Sequence, residues 1–508
     1  MLLLWITLGL LVGVAIYDLC QRQHAILRSF PIIGHFRYLF EAIGPELRQY
    51  IVTGNDEERP FSRDQRRWIY ASSKRQNSYF GFGTDNDLEL SPNYLIWKHT
   101  TFAREAPAAG SLAASHRIPC AKVLGGARGR ARAFRPESML YVSAMSFGSL
   151  SAAAVQAING GCALAGSLQN SGEGGISPHH DGGGGLIWQL GTGYFGARGQ
   201  DGGFDRARFL DTVAAHDVRA IEIKLSQGAK PGHGGILPAA KVTPEIARIR
   251  GVPQGVDCIS PSAHRAFRDA DSLLDFVEML AAASGLPIGI KSAVGETVFW
   301  TDLARHMQDG RRGVDFITVD GGEGGTGAAP LVFSDHVALP FKIGMSRVYR
   351  VFHEHGLHRK IVFFGSGKLG FPHMGLLASA LGCDMIGVAR EAMLAIGCIQ
   401  AQRCHTGHCP TGIATQSRWL MRGLDPRSKS ARLANYLLAM QKEMLWLCHA
   451  AGLGHPAAAT LDNFELLDDR FHATAARAVF DYPSGATVPD AEELAALERM
   501  MYAVDGRP

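Results

Sequence analysis

Net charge is the first thing this chain lacks. Its 51 Lys and Arg stand against 47 Asp and Glu, which leaves +4 at neutral pH and a pI near 8.5. A balance that mild provides no basic field able to hold a polyanion, so nucleic acid is excluded as a partner. Disulfide chemistry is also missing. The nine cysteines are odd in number and mostly isolated, so Cys20, Cys120, Cys162, Cys258, Cys383 and Cys448 read as small buried apolar groups in a reducing compartment. Glycine, by contrast, is abundant, with 60 residues. They cluster where backbone would have to approach a ligand closely, which marks site loops and not low complexity. With 46% hydrophobic and 19% charged residues, the composition is that of a well-packed globular protein.

Charge is wholly absent from one stretch, Leu2 to Tyr17. Its length is at the short end of the roughly 17–25 residues a bilayer span needs. No basic residue precedes it and no small-x-small cleavage site follows, which argues against a signal peptide. Arg22, Arg28 and Arg37 come next with only Asp18 opposing them. The positive-inside rule then leaves the amino terminus outside and the rest in the cytoplasm. The expectation is a single-pass anchor over residues 1–20 in the cell membrane, with a cytoplasmic catalytic domain. The alternative is a buried or interfacial helix.

Residues 21–115 read as an aromatic- and arginine-rich cap with no catalytic geometry. From about 139 the pattern becomes short apolar runs alternating with helical stretches such as Asp271–Ala283 and His373–Leu381. Eight runs predict buried parallel strands: Leu140–Ala144, Leu164–Gln169, Ala220–Leu225, Val256–Ser260, Pro287–Ser292, Phe316–Gly321, Ile361–Ser366 and Met385–Ala389. Eight βα units in one domain predict an α/β fold of the (β/α)8 TIM-barrel class over residues 116–419. A doubly wound sheet is the runner-up, but it shows one phosphate fingerprint near its first strand and not polar, glycine-rich loops after nearly every strand. Residues 420–508 read as a helical extension that packs or offers an oligomer surface.

The strand ends carry the chemistry. Ser143, Met145 and Ser146 lie in a small, polar loop against which a flat ring can rest. Gln169 leads into the glycine loop that holds Glu173. Lys291 ends an apolar run, where a fixed cation stabilises the negative N1–C2=O edge of a reduced flavin. Gly321 opens a further glycine loop. Gly365, Ser366, Gly367, Gly387 and Arg390 follow the last two runs, the place where barrels bind phosphate through backbone N–H groups. Finally, Cys398, Cys404 and Cys409 fall within twelve residues and are closed by Pro410. Thiolates so spaced suit an iron–sulfur cluster; zinc with His405 or His408, or three unligated thiols, are the alternatives.

Together, Ser-Ala-Met-Ser-Phe-Gly-Ser, Gly-Glu-Gly-Gly, Gln-Gly-Ala-Lys-Pro-Gly, Gly-Thr-Gly-Ala and the cysteine loop ending in Gly-Ile-Ala-Thr-Gln resemble the synthase domain of the glutamate synthase family. The segments His24-Ala-Ile-Leu-Arg and Arg59-Pro-Phe-Ser-Arg-Asp-Gln resemble its short, membrane-anchored branch. The resemblance implies FMN, a 3Fe–4S cluster on Cys398, Cys404 and Cys409, and a 2-oxoglutarate site at Glu173, Lys230 and Arg250. In that family FMN passes electrons to 2-iminoglutarate. Arg250 offers a bidentate carboxylate fork, Lys230 a point charge and Glu173 a proton carrier. Two departures stand out. His233 and Ile236 replace a Glu and a Gln of the family pattern, and Ile236 cannot hydrogen-bond a substrate. Nothing resembles the glutamine amidotransferase domain, and no NADPH-binding fingerprint is evident. An external donor, a ferredoxin or a reductase subunit, is therefore expected to supply electrons to an enzyme acting on a small imino or amino acid. A transferase making N-substituted glutamates and a non-catalytic redox subunit are the rival readings.

Overall fold

A computed structural model of the protein describes residues 1–76, 79 and 81–503. It forms two compact units, Met1–Trp68 and Ile69–Pro508. In the first, helix α1 (Leu2–Cys20) is exposed along nearly its whole length, the exception being the fully buried Asp18 side chain. Asp18 accepts hydrogen bonds from the Ile32 backbone N–H at 2.9 Å and from His35 Nε2 at 3.0 Å. A buried carboxylate is costly unless donors surround it, and these two fasten the end of α1 to the start of the next long helix, α2 (Gly34–Leu47). A π-helical turn, Arg48–Val52, continues α2.

The second unit holds a closed barrel of eight parallel strands: β1 (Leu140–Val142), β2 (Leu168–Asn170), β3 (Leu186–Leu190), β4 (Val218–Lys224), β5 (Ile288–Ser292), β6 (Phe316–Asp320), β7 (Val362–Ser366) and β8 (Met385–Val388). Each pairs with the next in sequence, and β8 closes on β1 through Ile386 opposite Leu140. Seven of these strands fall on predicted runs, and two corrections apply. Leu186–Leu190 is a barrel strand although no run was assigned there. Val256–Ser260 is not one: only Cys258–Ile259 is extended, in an antiparallel pair with Ile236–Leu237 outside the barrel.

The barrel floor is packed by Tyr141, Leu168, Ile187, Ala220, Phe316, Val362, Phe364 and Met385. Phe316 and Phe364 stack with ring centroids 4.7 Å apart. Parallel strands buried on both faces need such continuous apolar runs. The helix Ala152–Ala165 starts on the Ser151 side chain, which accepts from the Ala154 N–H, and stops at Gly166 in the left-handed region, as capping physics requires. It packs on the long helix Pro426–Ala450, where Ser430 Oγ donates to the Ala157 carbonyl at 3.0 Å. Beyond that helix the chain is not wholly helical as expected. Phe464–Leu467 and Ala473–Ala475 form an antiparallel sheet with Tyr94–Trp97. The tail of the chain and residues from before the barrel thus share one small sheet.

Candidate active site

The polar residues gather at the carboxyl ends of the barrel strands, where this architecture builds its sites. Two glycines make the crowding possible. Gly172, with φ +67°, lies where a Cβ would stand 2.5 Å from the Ser146 nitrogen, so the loops after β1 and β2 touch backbone to backbone. Gly228 lies where a Cβ would stand 1.9 Å from the Gly321 carbonyl oxygen, so the loops after β4 and β6 touch as well.

Below the mouth sits Glu222, fully buried on β4. It accepts hydrogen bonds from Asn170 Nδ2 (2.8 Å), Gln189 Nε2 (2.6 Å) and Thr318 Oγ1 (2.6 Å). Donors from β2, β3 and β6 thereby converge on one carboxylate and fix the strand ends to one another. Two residues further along β4, Lys224 Nζ donates to Glu173 Oε1 at 2.6 Å and to Gln227 Oε1 at 3.2 Å. Burial alone would raise the Glu173 carboxyl; Lys224, with Lys230 and Arg250 behind it, outweighs that and holds it below its ordinary value. Glu173 is therefore an anion at neutral pH and not a proton donor.

Lys230 is buried, its Nζ donating to the Gly234 carbonyl at 3.1 Å. Burial and the neighbouring Lys224 pull its pKa down to about 8 against the opposing pull of Glu173. Arg250 is buried at the end of the helix Pro244–Arg250. Its Nη2 donates to the Phe147 carbonyl at 3.0 Å, its Nη1 points to Cys258 Sγ at 3.8 Å, and its plane lies 5.2 Å from the Phe195 ring. Its Nε has no partner, and among the described residues no carboxylate forms an ion pair with it. The structure thus brings Glu173, Lys230 and Arg250 into one field, with Lys224 as a further member that the sequence reading did not assign. Its signal was legible: a lysine two positions beyond a glutamate in a strand points the same way as that glutamate. Ile236 stands in its short strand and not on a free loop, and the His233 ring lies 5.5 Å from that of Phe333.

Across the mouth, Lys291 Nζ lies 3.5 Å from Asp320 Oδ2, both groups buried, and Asp320 also accepts from the Gly228 N–H at 2.8 Å. Ser143 and Ser366 hydroxyls meet at 3.3 Å. Met145 and Ser146 form the half-buried backbone against Gly172. Gln169 is buried and its Oε1 has no partner among the described residues, the mark of a group awaiting a donor. The glycines divide into two kinds. Gly365 and Gly387 lie within β7 and β8, and the Gly321 N–H is already given to the Ser366 carbonyl at 2.8 Å. Gly367 stands just past β7, and Arg390 Nη2 donates to the Glu323 carbonyl of the β6 loop.

The cysteine loop is tied to this mouth. Gln416 Nε2 donates to the carbonyls of Gly148 (3.1 Å) and Leu150 (2.9 Å) in the β1 loop, and Lys241 Nζ donates to the Cys404 carbonyl at 2.8 Å. Burial and the charge of Cys409 raise the Cys404 thiol, with Lys241 opposing. Burial alone would raise Cys409 too, but the N–H groups of Ala414, Thr411 and Ile413 and the Thr411 hydroxyl outweigh it and favour the thiolate. Cys404 and Cys409 thus share one field. Among the described residues no group of three His, Cys, Asp or Glu stands close enough to hold a metal ion.

Comparison with known proteins fits this arrangement. Residues 129–454 match the family described as a conserved region in glutamate synthase. The glutamate synthase large subunit-like protein YerD of Bacillus subtilis is 36% identical over 480 residues, covering 89% of this chain and 91% of that protein. The archaeal glutamate synthase [NADPH] of Methanocaldococcus jannaschii is 34% identical over 323 residues, covering 62% of this chain and 59% of that protein's length. Among solved structures, a flavocytochrome b2 variant with sulfite bound is similar at TM-score 0.43 and 14% identity, covering 90% of this chain and 89% of that one, a likeness too weak to inform the chemistry. With the family's conserved region spanning the barrel and the cysteine loop, the chain belongs to the glutamate synthase family of oxidoreductases.

Proposed function

We propose that the barrel mouth binds FMN and presents it to a small dicarboxylate carrying an imino or amino group, such as 2-iminoglutarate or glutamate. One observation carries the substrate class: Arg250 is a buried guanidinium with an unpartnered Nε and no ion-paired carboxylate among the described residues, and the buried cation Lys230 stands in the same field. Two buried cations beside Glu173, a carboxylate itself engaged by Lys224, leave positive charge for an anionic ligand to neutralise.

The residues also suit a flavin. Gln169 Oε1 lacks a donor, which a ring N–H would supply, and Lys291 places a cation where the ring's electron-rich edge would lie. Gly367 and Arg390, past the last two strands, are the phosphate side, with Ser143 and Ser366 hydroxyls near them. When bound, FMN supplies hydride exchange. The protein's own part is to orient the acid through Arg250, to exclude water, and to manage one proton. Lys230, near pH 8, is better matched to that proton than Glu173, because a group titrating close to the working pH transfers protons most effectively. Glu173 fixes Lys224 and keeps Lys230 charged below pH 8.

Cys398, Cys404 and Cys409 would hold a 3Fe–4S cluster, which relays single electrons when present. Support comes from the thiolate-favouring N–H donors around Cys409 and from the loop's attachment to the β1 loop. An external electron donor, a ferredoxin or a reductase subunit, would dock over this loop. Helix α1, long and apolar enough to cross a membrane, would anchor the chain. The test is direct. Flavin released from purified protein by denaturation should be FMN by mass, with about three iron atoms per chain. A colourless protein, or FAD in place of FMN, would overturn the reading.

A further inference from the structure

Helix α2 carries an exposed apolar stripe. Phe36, Leu39, Phe40, Ile43 and Leu47 are exposed by 57%, 50%, 62%, 40% and 40%. At about 100° per residue these five fall within an arc of about 100°, the width of a buried helix face. Arg37, Glu41 and Arg48 lie on the opposite side, with Arg37 bonded to Glu41 at 3.2 Å. The exposed side chains Phe30 and Ile33 precede the stripe, and Ile51 and Val52 in the π-helical turn extend it. Five large apolar groups lined up in water on one helix are costly, since each buried aliphatic or aromatic side chain contributes about 1.5–3 kcal/mol. A face of this kind marks an interaction site.

We propose that α2 lies in the membrane interface, its stripe immersed at the headgroup–acyl boundary, as a second membrane contact beside α1. Three observations choose a lipid surface as the occupant. The stripe is continuous with an exposed apolar helix: α1 hands over to α2 through the Asp18 clasp, in which Ile32 N–H and His35 satisfy the carboxylate. A carboxylate so enclosed suits the polar boundary at which a spanning helix ends and an interfacial one begins. Charge agrees as well. Between residues 21 and 52, Arg22, Arg28, Arg37 and Arg48 outnumber Glu41 and Glu46, which favours anionic headgroups. Finally, the side chains are large and aromatic-rich, the composition of interfacial helices.

This proposal deepens the anchor reading and is testable apart from it. A photoreactive benzoylphenylalanine is introduced in the full-length chain at Phe36, Phe40, Arg37 or Leu8, and membranes of mixed anionic and zwitterionic lipid are irradiated. Lipid adducts are expected at Phe36 and Phe40, with loss of the signal at Arg37. Adducts at Leu8 but none at Phe36 and Phe40 would overturn the interfacial helix and leave the anchor standing. Adducts at Phe36 and Phe40 without any at Leu8 would support the interfacial helix and sink the anchor. Cross-links from Phe36 or Phe40 to a second copy, in place of lipid, would assign the stripe to self-association and overturn the proposal.

Discussion

Lys230 is the residue in which fold stability and chemistry oppose each other most plainly. Its ammonium is held at about 8 instead of its ordinary 10.5, first by burial and then by Lys224. Between those values the unfolded chain binds more protons than the folded one, so stability rises with pH across that window, and below about pH 8 the full cost is present. Lys230→Met removes it. The variant should gain up to roughly 3 kcal/mol at neutral pH, and the gain should shrink toward pH 10, as read by denaturant unfolding. An unchanged or lowered midpoint at neutral pH would show that Lys230 is not strained. The same titration predicts ligand behaviour. If Lys230 faces the acid, affinity for 2-oxoglutarate should fall as pH rises through about 8 in wild type and lose that dependence in Lys230→Met. Lys230 and Arg250 were assigned through the family resemblance, and the structure sets both beside Glu173. The state of Glu173 was not legible, because its pairing with Lys224 joins positions 51 apart in sequence, and only the barrel closes that gap.

At the scale of elements, the barrel was legible where strands are long apolar runs. It was missed at β3, whose five residues follow directly on Gly182–Gly185 and were assigned to no run. The false run Val256–Ser260 leaves Val256 54% and Ile259 68% exposed, because its only partner is the short strand Ile236–Leu237 outside the barrel. The weight of β3 is measurable. Trp188 is fully buried and stacks on Phe209 at 5.5 Å, so Trp188→Ala should cost about 3–5 kcal/mol. A loss near zero in equilibrium unfolding would mean that β3 is not part of the cooperative core. The cysteine loop makes a separate prediction. Cys404→Ser should abolish broad iron–sulfur absorbance while leaving flavin bound, because the loop's bonds to its surroundings run through the Gln416 side chain and the Cys404 carbonyl and not through the Cys404 thiol. Zinc without iron in the wild-type protein would instead favour a His-assisted site at His405 or His408. The tail's small sheet was not legible either, since Phe464–Leu467 finds its partner in Tyr94–Trp97, on the far side of the barrel in sequence.

At the scale of the whole molecule, helix α1 is long and apolar enough to cross a membrane, and the proposed anchor has a direct test. Deleting residues 2–17 keeps the Asp18 clasp and should convert an integral membrane protein into a peripheral one, released by alkaline carbonate with its flavin spectrum intact. Release of the full-length protein under the same treatment would contradict the anchor. The central claim, however, is the dicarboxylate held by Arg250 over a flavin, and a flavin-absorbance titration tests it most directly. Wild type and Arg250→Ala are titrated with 2-oxoglutarate, glutamate and N-methylglutamate. A charge-assisted hydrogen bond contributes roughly 1.5–3 kcal/mol, so Arg250→Ala should bind about tenfold to a hundredfold more weakly. Its flavin content should not change, because the hydrogen bonds of Arg250 run to Phe147 and Cys258 and not to Gly367 or Arg390. A wild-type spectrum blind to all three acids, or an Arg250→Ala protein that binds as tightly as wild type, would contradict the account.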